Sequence, residues 1–138
     1  MKRIFSILCV AFLFAVSYVA DAQMYNLKDA YKPYFSVGVA VNLRNISDPQ
    51  QVALVLRNYN SITAENVMKP QLVHPYQGEF DWEDADKVAN FCRENGIKLR
   101  GHCLMWHKQI GDWMFKDENG NYVSKEILFD RMRTHINA

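Results

Sequence analysis

Two stretches of the sequence combine side chains that suit the binding of a sugar. The first, residues 100–109 (RGHCLMWHKQ), begins as a short apolar run and ends with two histidines, a tryptophan and an amide. Tryptophan offers a flat apolar face, and histidine and glutamine offer hydrogen bonds, which together match a sugar ring with its rim of hydroxyls. The pattern predicts a strand that opens into a carbohydrate pocket, although a core strand with backbone-bonded histidines has the same composition.

The second stretch, residues 63–70 (TAENVMKP), also follows a short apolar run, residues 59–62. It places a carboxylate, an amide and an ammonium, those of Glu65, Asn66 and Lys69, within five positions. The alternative interpretation is a surface ion pair between Glu65 and Lys69, which contributes about 0–1 kcal/mol.

Together the two stretches resemble glycoside hydrolase family 10, the endo-β-1,4-xylanases. That family carries T-x-E-N-x-M-K-P after its second barrel strand and R-G-H-x-L-x-W-H-x-Q after its third, and this sequence matches both in that order. The resemblance runs over about residues 35–136. It implies substrate-binding roles for Glu65, Asn66, Lys69, His102, Trp106 and Gln109.

The resemblance also distributes these roles along the substrate. Glu65, Asn66 and Lys69 match positions that bond the sugar two subsites from the cleavage point. The sugar next to that point is expected to meet Lys69, His102 and Trp106. Gln109 matches a further hydroxyl contact, His107 is expected to support the floor of the site, and Trp113 is expected as a rim aromatic of the following loop. Core filler is the alternative for Trp106, and a histidine bonded to backbone is the alternative for His102.

Glycoside hydrolysis needs two carboxyl groups that flank the scissile bond. Among the acidic residues only Glu65 lies in a predicted cluster at a strand end. In the family the acid/base glutamate follows the fourth strand and the nucleophile follows the seventh, so both are expected beyond Ala138 and no catalytic residue is assigned here. The expected function is the non-reducing-side half of a retaining xylanase cleft. A non-catalytic xylan-binding module and a remnant without function are the alternatives.

A metal site is not predicted. His102 and His107 are five positions apart, which places them on opposite faces of a strand. His74 and His135 complete the set of four histidines, and neither H-E-x-x-H nor C-x-x-C accompanies them. No cofactor is expected.

Hydrophobic periodicity predicts alternating strands and helices. The predicted strands are residues 35–41, 59–64 and 97–104, and the predicted helices are residues 25–34, 48–58, 82–95 and 125–136. Such alternation predicts an α/β fold with parallel strands and right-handed crossovers. By the family resemblance, these elements are the first three strand–helix units of a (β/α)8 TIM barrel, which is incomplete in a chain of 138 residues because a full barrel needs ~250 residues.

Both polar clusters fall at the C-terminal ends of predicted strands, where such barrels carry their function. Two sets of apolar residues are assigned to faces. Val37, Val39, Ile62 and Leu99 are expected to face the barrel interior. The apolar face of the last helix is expected to comprise Ile127, Leu128, Met132 and Ile136.

The N-terminus has the pattern of a cleaved signal peptide, residues 1–22, followed by the barrel portion, residues 23–138. Lys2 and Arg3 precede an apolar run, and Ala20-Asp21-Ala22 forms an A-x-A site. The protein is therefore expected to be secreted, periplasmic or at the cell surface. An uncleaved anchor is the alternative, but the run is short for a span of ~20 residues.

Removal of this segment takes Lys2, Arg3 and Asp21 from 16 basic and 15 acidic residues, which leaves no net charge. Nothing in that balance attracts nucleic acid or, after cleavage, a membrane surface. The expected partners are xylan or xylo-oligosaccharides and the C-terminal part of the barrel. Cys92 and Cys103 could pair in an exported protein, but two free thiols acting as small hydrophobes are favoured.

Overall fold

A three-stranded parallel sheet forms the centre of the computed structural model, which describes residues 25–138. The strands are β1 (Gly38–Val41), β2 (Ser61–Ala64) and β3 (Lys98–Arg100), in that spatial order. Gly38 pairs with Ser61, and Ser61 pairs with Lys98. The predicted parallel arrangement is confirmed, and the predicted signal peptide lies outside the described residues.

Six α-helices and one 3-10 turn accompany the sheet in the described part. The helices are α1 (Leu27–Ala30), α2 (Leu43–Ser47), α3 (Pro49–Asn58), α4 (Pro70–Val73), α5 (Glu83–Glu94) and α6 (Lys125–Ile136), and the 3-10 turn is Asp112–Met114. No helix in residues 25–138 is long and apolar enough to cross a membrane.

Helix caps fix most of these boundaries. The Asp48 carboxylate accepts from the N–H groups of Gln50 and Gln51, and the Ser124 hydroxyl accepts from that of Ile127, so α3 and α6 begin where the sequence predicts. Helix α2 is not predicted by the apolar spacing. A reciprocal capping box between Asn42 and Asn45 starts it instead.

One face of the sheet packs against α3 and α5. Ile62 of β2 is fully buried and belongs to a single core cluster. The buried members of that cluster are Val41, Val55, Ile62, Ala64, Val67, Val88 and Cys92. Burial of each large aliphatic side chain contributes about 1.5–3 kcal/mol, so this helix-covered face supplies most of the apolar stabilisation.

The opposite face of the sheet carries small or polar side chains. The strand register places Gly38, Ala40, Ser61, Thr63, Lys98 and Arg100 on this face. The prediction that Val39, Ile62 and Leu99 face a barrel interior is therefore wrong. Side chains alternate between the two faces, and the larger apolar set is the one that the helices cover.

Helix α6 contacts the 3-10 turn. The Arg131 guanidinium holds it there by donating to the backbone carbonyls of Trp113 and Lys116. The predicted apolar face of α6 is wrong in part, because Ile127 and Ile136 are 47% and 45% exposed. The buried residue of this helix is His135.

The sidedness of β2 can be tested with two neighbouring substitutions. Ile62→Ala should lower the free energy of unfolding by about 2–5 kcal/mol, since it leaves a cavity in the core. Thr63→Ala, on the opposite face, should change it by at most about 1 kcal/mol. Urea denaturation followed by circular dichroism measures both, and equal losses would contradict the assignment of faces.

Candidate functional site

The two sequence stretches meet at the C-terminal edge of the sheet. Glu65 directly follows β2, and its N–H donates to the carbonyl of Val41 at the end of β1, at 2.9 Å. The chain then turns back, because the N–H of Lys69 donates to the carbonyl of Asn66 at 2.8 Å. This turn places the Glu65, Asn66 and Lys69 side chains close to one strand end, just before α4.

The ammonium of Lys69 joins the second stretch to the first. Its Nζ donates to Asn66 Oδ1 at 2.8 Å and to Gln109 Oε1 at 2.7 Å, a residue forty positions away. The same Nζ lies 5.6 Å from the ring centre of Trp106, which is within cation–π range. An ammonium has three donors, and these two bonds engage two of them.

Gln109 is held by its backbone as well as its side chain. Its carbonyl accepts from the N–H of Gln71 in α4 at 2.9 Å. Its φ is 50°, a left-handed conformation that side chains other than glycine adopt at a cost. Such conformations persist where surrounding contacts over-determine them, and here the bonds from Lys69 and Gln71 do so.

Trp106 presents its ring to the surface. It is 37% exposed, and its ring meets the edge of the exposed His107 ring, with centres 5.8 Å apart. The core-filler alternative for Trp106 is therefore wrong. His107 contacts Trp106 from the side, at the surface of the protein.

Glu65 is exposed, and its partner is Asn42. The Asn42 amide, directly after β1, lies at 3.5 Å from Glu65 Oε2. The ion pairs of the described residues include none between Glu65 and Lys69, so the surface ion-pair alternative is wrong for this conformation. Asn42 is a candidate site residue that the sequence reasoning missed, and its position directly after an apolar strand was the available signal.

His102 is separate from the Lys69 cluster. It is half-buried and lines a groove between α5 and α6, together with Met68 and Cys103. No hydrogen bond in the described part joins His102 to Lys69. The peptide bond between His102 and Cys103 is cis. The structure thus brings together Asn66, Lys69, Trp106 and Gln109, with Glu65 nearby at the end of β2 and His102 on the groove side.

Trp113 points inward, so the prediction of a rim aromatic is wrong. Its indole N–H donates to the carbonyl of His74 at 3.3 Å, and the two rings lie 4.5 Å apart. Gly111 permits this position. A Cβ there would lie 2.5 Å from Trp113 Cδ1 and 2.8 Å from the carbonyl oxygen of Pro75, so only glycine fits.

Two buried histidines lie behind the site. His74 is 1% exposed and His135 is 6% exposed, and their Nδ1 atoms are 3.1 Å apart. Burial, and secondly the neighbouring His135, lower the pKa of His74. Burial also lowers the pKa of His135, against the opposing effect of a hydrogen bond to the Leu104 backbone. Both imidazoles are therefore neutral at neutral pH.

Cys92 and Cys103 are free thiols, as predicted. Cys92 lies in the core, where burial raises the pKa of its thiol, so it acts as a small hydrophobe. Within residues 25–138, no group of three histidine, cysteine or carboxylate side chains could hold a metal ion.

The comparison with known families decides what this arrangement is. Residues 26–138 match glycosyl hydrolase family 10. The chain belongs to that family.

Family 10 relatives are similar along most of the chain. An endo-1,4-beta-xylanase/feruloyl esterase of Xylanibacter ruminicola is 60% identical over 112 residues, which cover 81% of this chain and 15% of the relative. Endo-1,4-beta-xylanase A of the same species is 41% identical over 126 residues, which cover 90% of this chain and 34% of the relative. A psychrophilic family 10 endo-beta-1,4-xylanase of solved structure superposes with a TM-score of 0.78 at 64% sequence identity. The match covers 80% of this chain and 34% of that xylanase.

The chain thus spans between 15% and 34% of the length of these relatives. Its three parallel strands and their helices correspond to the N-terminal part of the family 10 TIM barrel, which confirms the predicted fold.

The bridging role of Lys69 can be tested without any substrate. Lys69→Met should raise amide hydrogen exchange at Gln71, whose N–H donates to the Gln109 carbonyl, at least about tenfold, because a hydrogen bond to a charged group contributes about 1.5–3 kcal/mol. Lys125→Met is the matched control, since Lys125 Nζ lies 5.4 Å from a single ring, that of Phe129. Mass spectrometry of peptic fragments measures the exchange, and unchanged protection in Lys69→Met would contradict the bridge.

Proposed function

We propose that this chain supplies the non-reducing-side, sugar-binding half of the cleft of a retaining endo-β-1,4-xylanase. The observation that carries the proposal is the bridge from Lys69 to Asn66 and Gln109 beside the exposed face of Trp106. The family supports it, because the similar proteins compared above are named as xylanases. Xylan or a xylo-oligosaccharide is the proposed ligand.

The chemistry of the cluster suits a xylose unit. The Trp106 ring provides an apolar surface on which a pyranose face can stack. Around it, the amides of Asn66 and Gln109 and the ammonium of Lys69 provide donors and acceptors for hydroxyls. Because these groups already hold one another in place, a sugar meets an organised site and little side-chain entropy is lost on binding.

The family resemblance divides these residues between two sugars. Glu65 and Asn66 are proposed to bind the sugar two subsites from the cleavage point. Lys69 is proposed to reach that sugar and the one next to the bond that breaks, where His102 and Trp106 also contribute. Hydroxyl contacts at the reacting sugar raise turnover when they strengthen as its ring distorts.

The catalytic carboxylates are proposed to come from later strands of the barrel. Retaining glycosidases use two carboxyl groups about 5 Å apart. Within residues 25–138, Glu65 is the carboxylate of the cluster, and its polar contacts are made with Asn42 and, through the backbone, Val41. Residues 25–138 alone are therefore proposed to bind xylan without hydrolysing it. Export through residues 1–22 is proposed as well, since it would bring the protein to this polymer.

A chimeric barrel tests the proposal. Residues 26–138 replace the corresponding segment of the psychrophilic family 10 xylanase, to which the chain is 64% identical. The chimera should release reducing sugar from xylan, and the chain alone should release none above a control without protein. Release by the chain alone, lost in Glu65→Gln, would overturn the assignment of the catalytic carboxylates to later strands.

Within the chimera, Lys69→Met should lower kcat/KM on xylohexaose by about 10- to 100-fold, since a charged hydrogen bond is lost at the reacting sugar. Lys125→Met is again the control, because Lys125 lies on α6 beside Phe129. Equal kcat/KM values for the two variants would show that Lys69 does not contact the substrate.

A binding module without hydrolysis is the second candidate function. The preformed contacts of Lys69 favour it, since they need no residue outside the described part. Titration calorimetry with xylohexaose separates the two. A chain that binds the oligosaccharide, with a chimera that is inactive although folded, would favour the module.

A further inference from the structure

We propose that His74 and His135 act as a neutral pair of positioning residues for residues 101–109, so that protonation of the pair loosens the sugar-binding cluster. The consequence for sugar binding rests on the proposed function. The positioning itself rests on the hydrogen bonds of the two imidazoles.

The hydrogen bonds around the pair fix both tautomers. His74 Nε2 accepts from the N–H of Gly78 at 3.2 Å, so its proton lies on Nδ1. That Nδ1–H points to Nδ1 of His135 at 3.1 Å, which must therefore accept. The proton of His135 therefore lies on Nε2, and Leu104, whose backbone hydrogen bond raises the pKa of His135, lines the same groove as this ring. One chain of bonds thus runs from Gly78 through both rings to Leu104.

The ring geometry agrees with this chain. The two imidazole planes differ by 14°, and their centres are 5.3 Å apart. With the facing nitrogens at 3.1 Å, the separation fits rings that point at each other edge to edge. The ring of His74 is also held between Phe80, at 3.9 Å, and Trp113, at 4.5 Å, so it cannot turn to choose another partner.

The chain of bonds ends on the segment that carries the site. Residues 101–109 form no helix or strand. They are tied at their far end by the bonds from Gln71 and Lys69 to Gln109, and in their middle by the bond from His135 to Leu104. Trp106 lies between these two points of attachment. Its orientation therefore depends on the bond from His135.

Protonation of either ring breaks a link. A proton added to His135 places N–H groups on both facing Nδ1 atoms, which repel at 3.1 Å. A proton added to His74 goes to Nε2. The N–H of Gly78 then loses its acceptor. The bond chain exists only while both rings are neutral.

Charged and titratable groups near the pair do not stabilise the imidazolium form. Those that line the adjoining cavity and groove are Asp86, His102, Cys103, Asp130 and Arg131. Asp130 pairs with Arg133, and Arg131 donates to backbone carbonyls. None of the five forms a hydrogen bond with either imidazole in the described part.

The sign of the pH effect follows from the lowered pKa values. Both imidazoles have a pKa below their ordinary value of 6.5 in the folded protein, mainly through burial. The unfolded chain therefore binds protons more readily as the pH falls below 6.5. Stability and positioning are complete above that pH and decline below it.

Nuclear magnetic resonance of the histidine nitrogens tests the pair directly. The full chain and the chimera, labelled with 15N-histidine, should show a neutral His74 protonated on Nδ1 and a neutral His135 protonated on Nε2 at about pH 7.5. A His74 protonated on Nε2, or an imidazolium at this pH, would overturn the proposal.

The coupling to the site is tested by labelling with 5-fluorotryptophan. The fluorine signal of Trp106, assigned through Trp106→Phe, should shift between about pH 7.5 and about pH 5 in step with the titration of the pair. His135→Gln keeps an amide N–H for the Leu104 backbone but cannot be protonated. The part of the fluorine shift that follows the titration of His135 should therefore vanish. A Trp106 signal that is independent of pH in the parent protein would overturn the proposal.

Affinity for xylohexaose provides the last measurement. The parent protein should bind xylohexaose on the order of fivefold more weakly at about pH 5 than at about pH 7.5. His135→Gln should match the parent at about pH 7.5 and vary less with pH, while His135→Leu should bind weakly throughout. Thr134→Ala, on the same helix, should keep the parent profile. Parent binding that does not change with pH would overturn the proposal.

The two proposals can fail separately. A Trp106 signal that follows the pair, in a chain and chimera that bind no oligosaccharide at any pH, would overturn the proposed function and uphold the positioning. Binding of the oligosaccharide, with a Trp106 signal that does not change with pH, would overturn the positioning and uphold the proposed function.

Discussion

A single ammonium group holds the candidate site together. Lys69 reaches Asn66 on its own turn and Gln109 on a segment forty residues later, with Trp106 beside it. Hydrogen bonds to an ammonium depend more on charge than on a fixed fork geometry, so this contact can join two loops whose backbones were built independently. The parallel sheet is the necessary background, because only parallel neighbours bring the ends of β2 and β3 to one edge.

The two faces of that sheet have different tasks. Helices α3 and α5 cover the face that contains Ile62, and the apolar core lies there. The other face presents small and polar side chains, such as Ser61 and Thr63, in register with Lys98 and Arg100. The apolar core and the polar side chains therefore lie on opposite sides of strands of three or four residues. The turn after each strand is held in position by this core.

The sequence was informative wherever the physical cause is local. Asp48 and Ser124 cap their helices within a few residues, and the cluster around Lys69 follows a strand end, so both could be predicted. The choice of face for Ile62 could not, because alternation defines two faces without saying which one the helices cover. The pairing of His74 with His135 spans 61 positions and leaves no local pattern. The inward position of Trp113 depends on the missing side chain of Gly111.

That glycine also governs where water can go. The indole of Trp113 occupies the volume that any side chain at position 111 would need, and its ring lies against His74. A single added methyl group would collide with the indole and with the Pro75 carbonyl, and a displaced indole would expose the His74 imidazole to solvent. The pKa of a hydrated imidazole would rise toward its ordinary value, since burial is what lowers it. The acid tolerance of the loop that carries Trp106 is therefore set, at a distance, by the absence of one carbon atom.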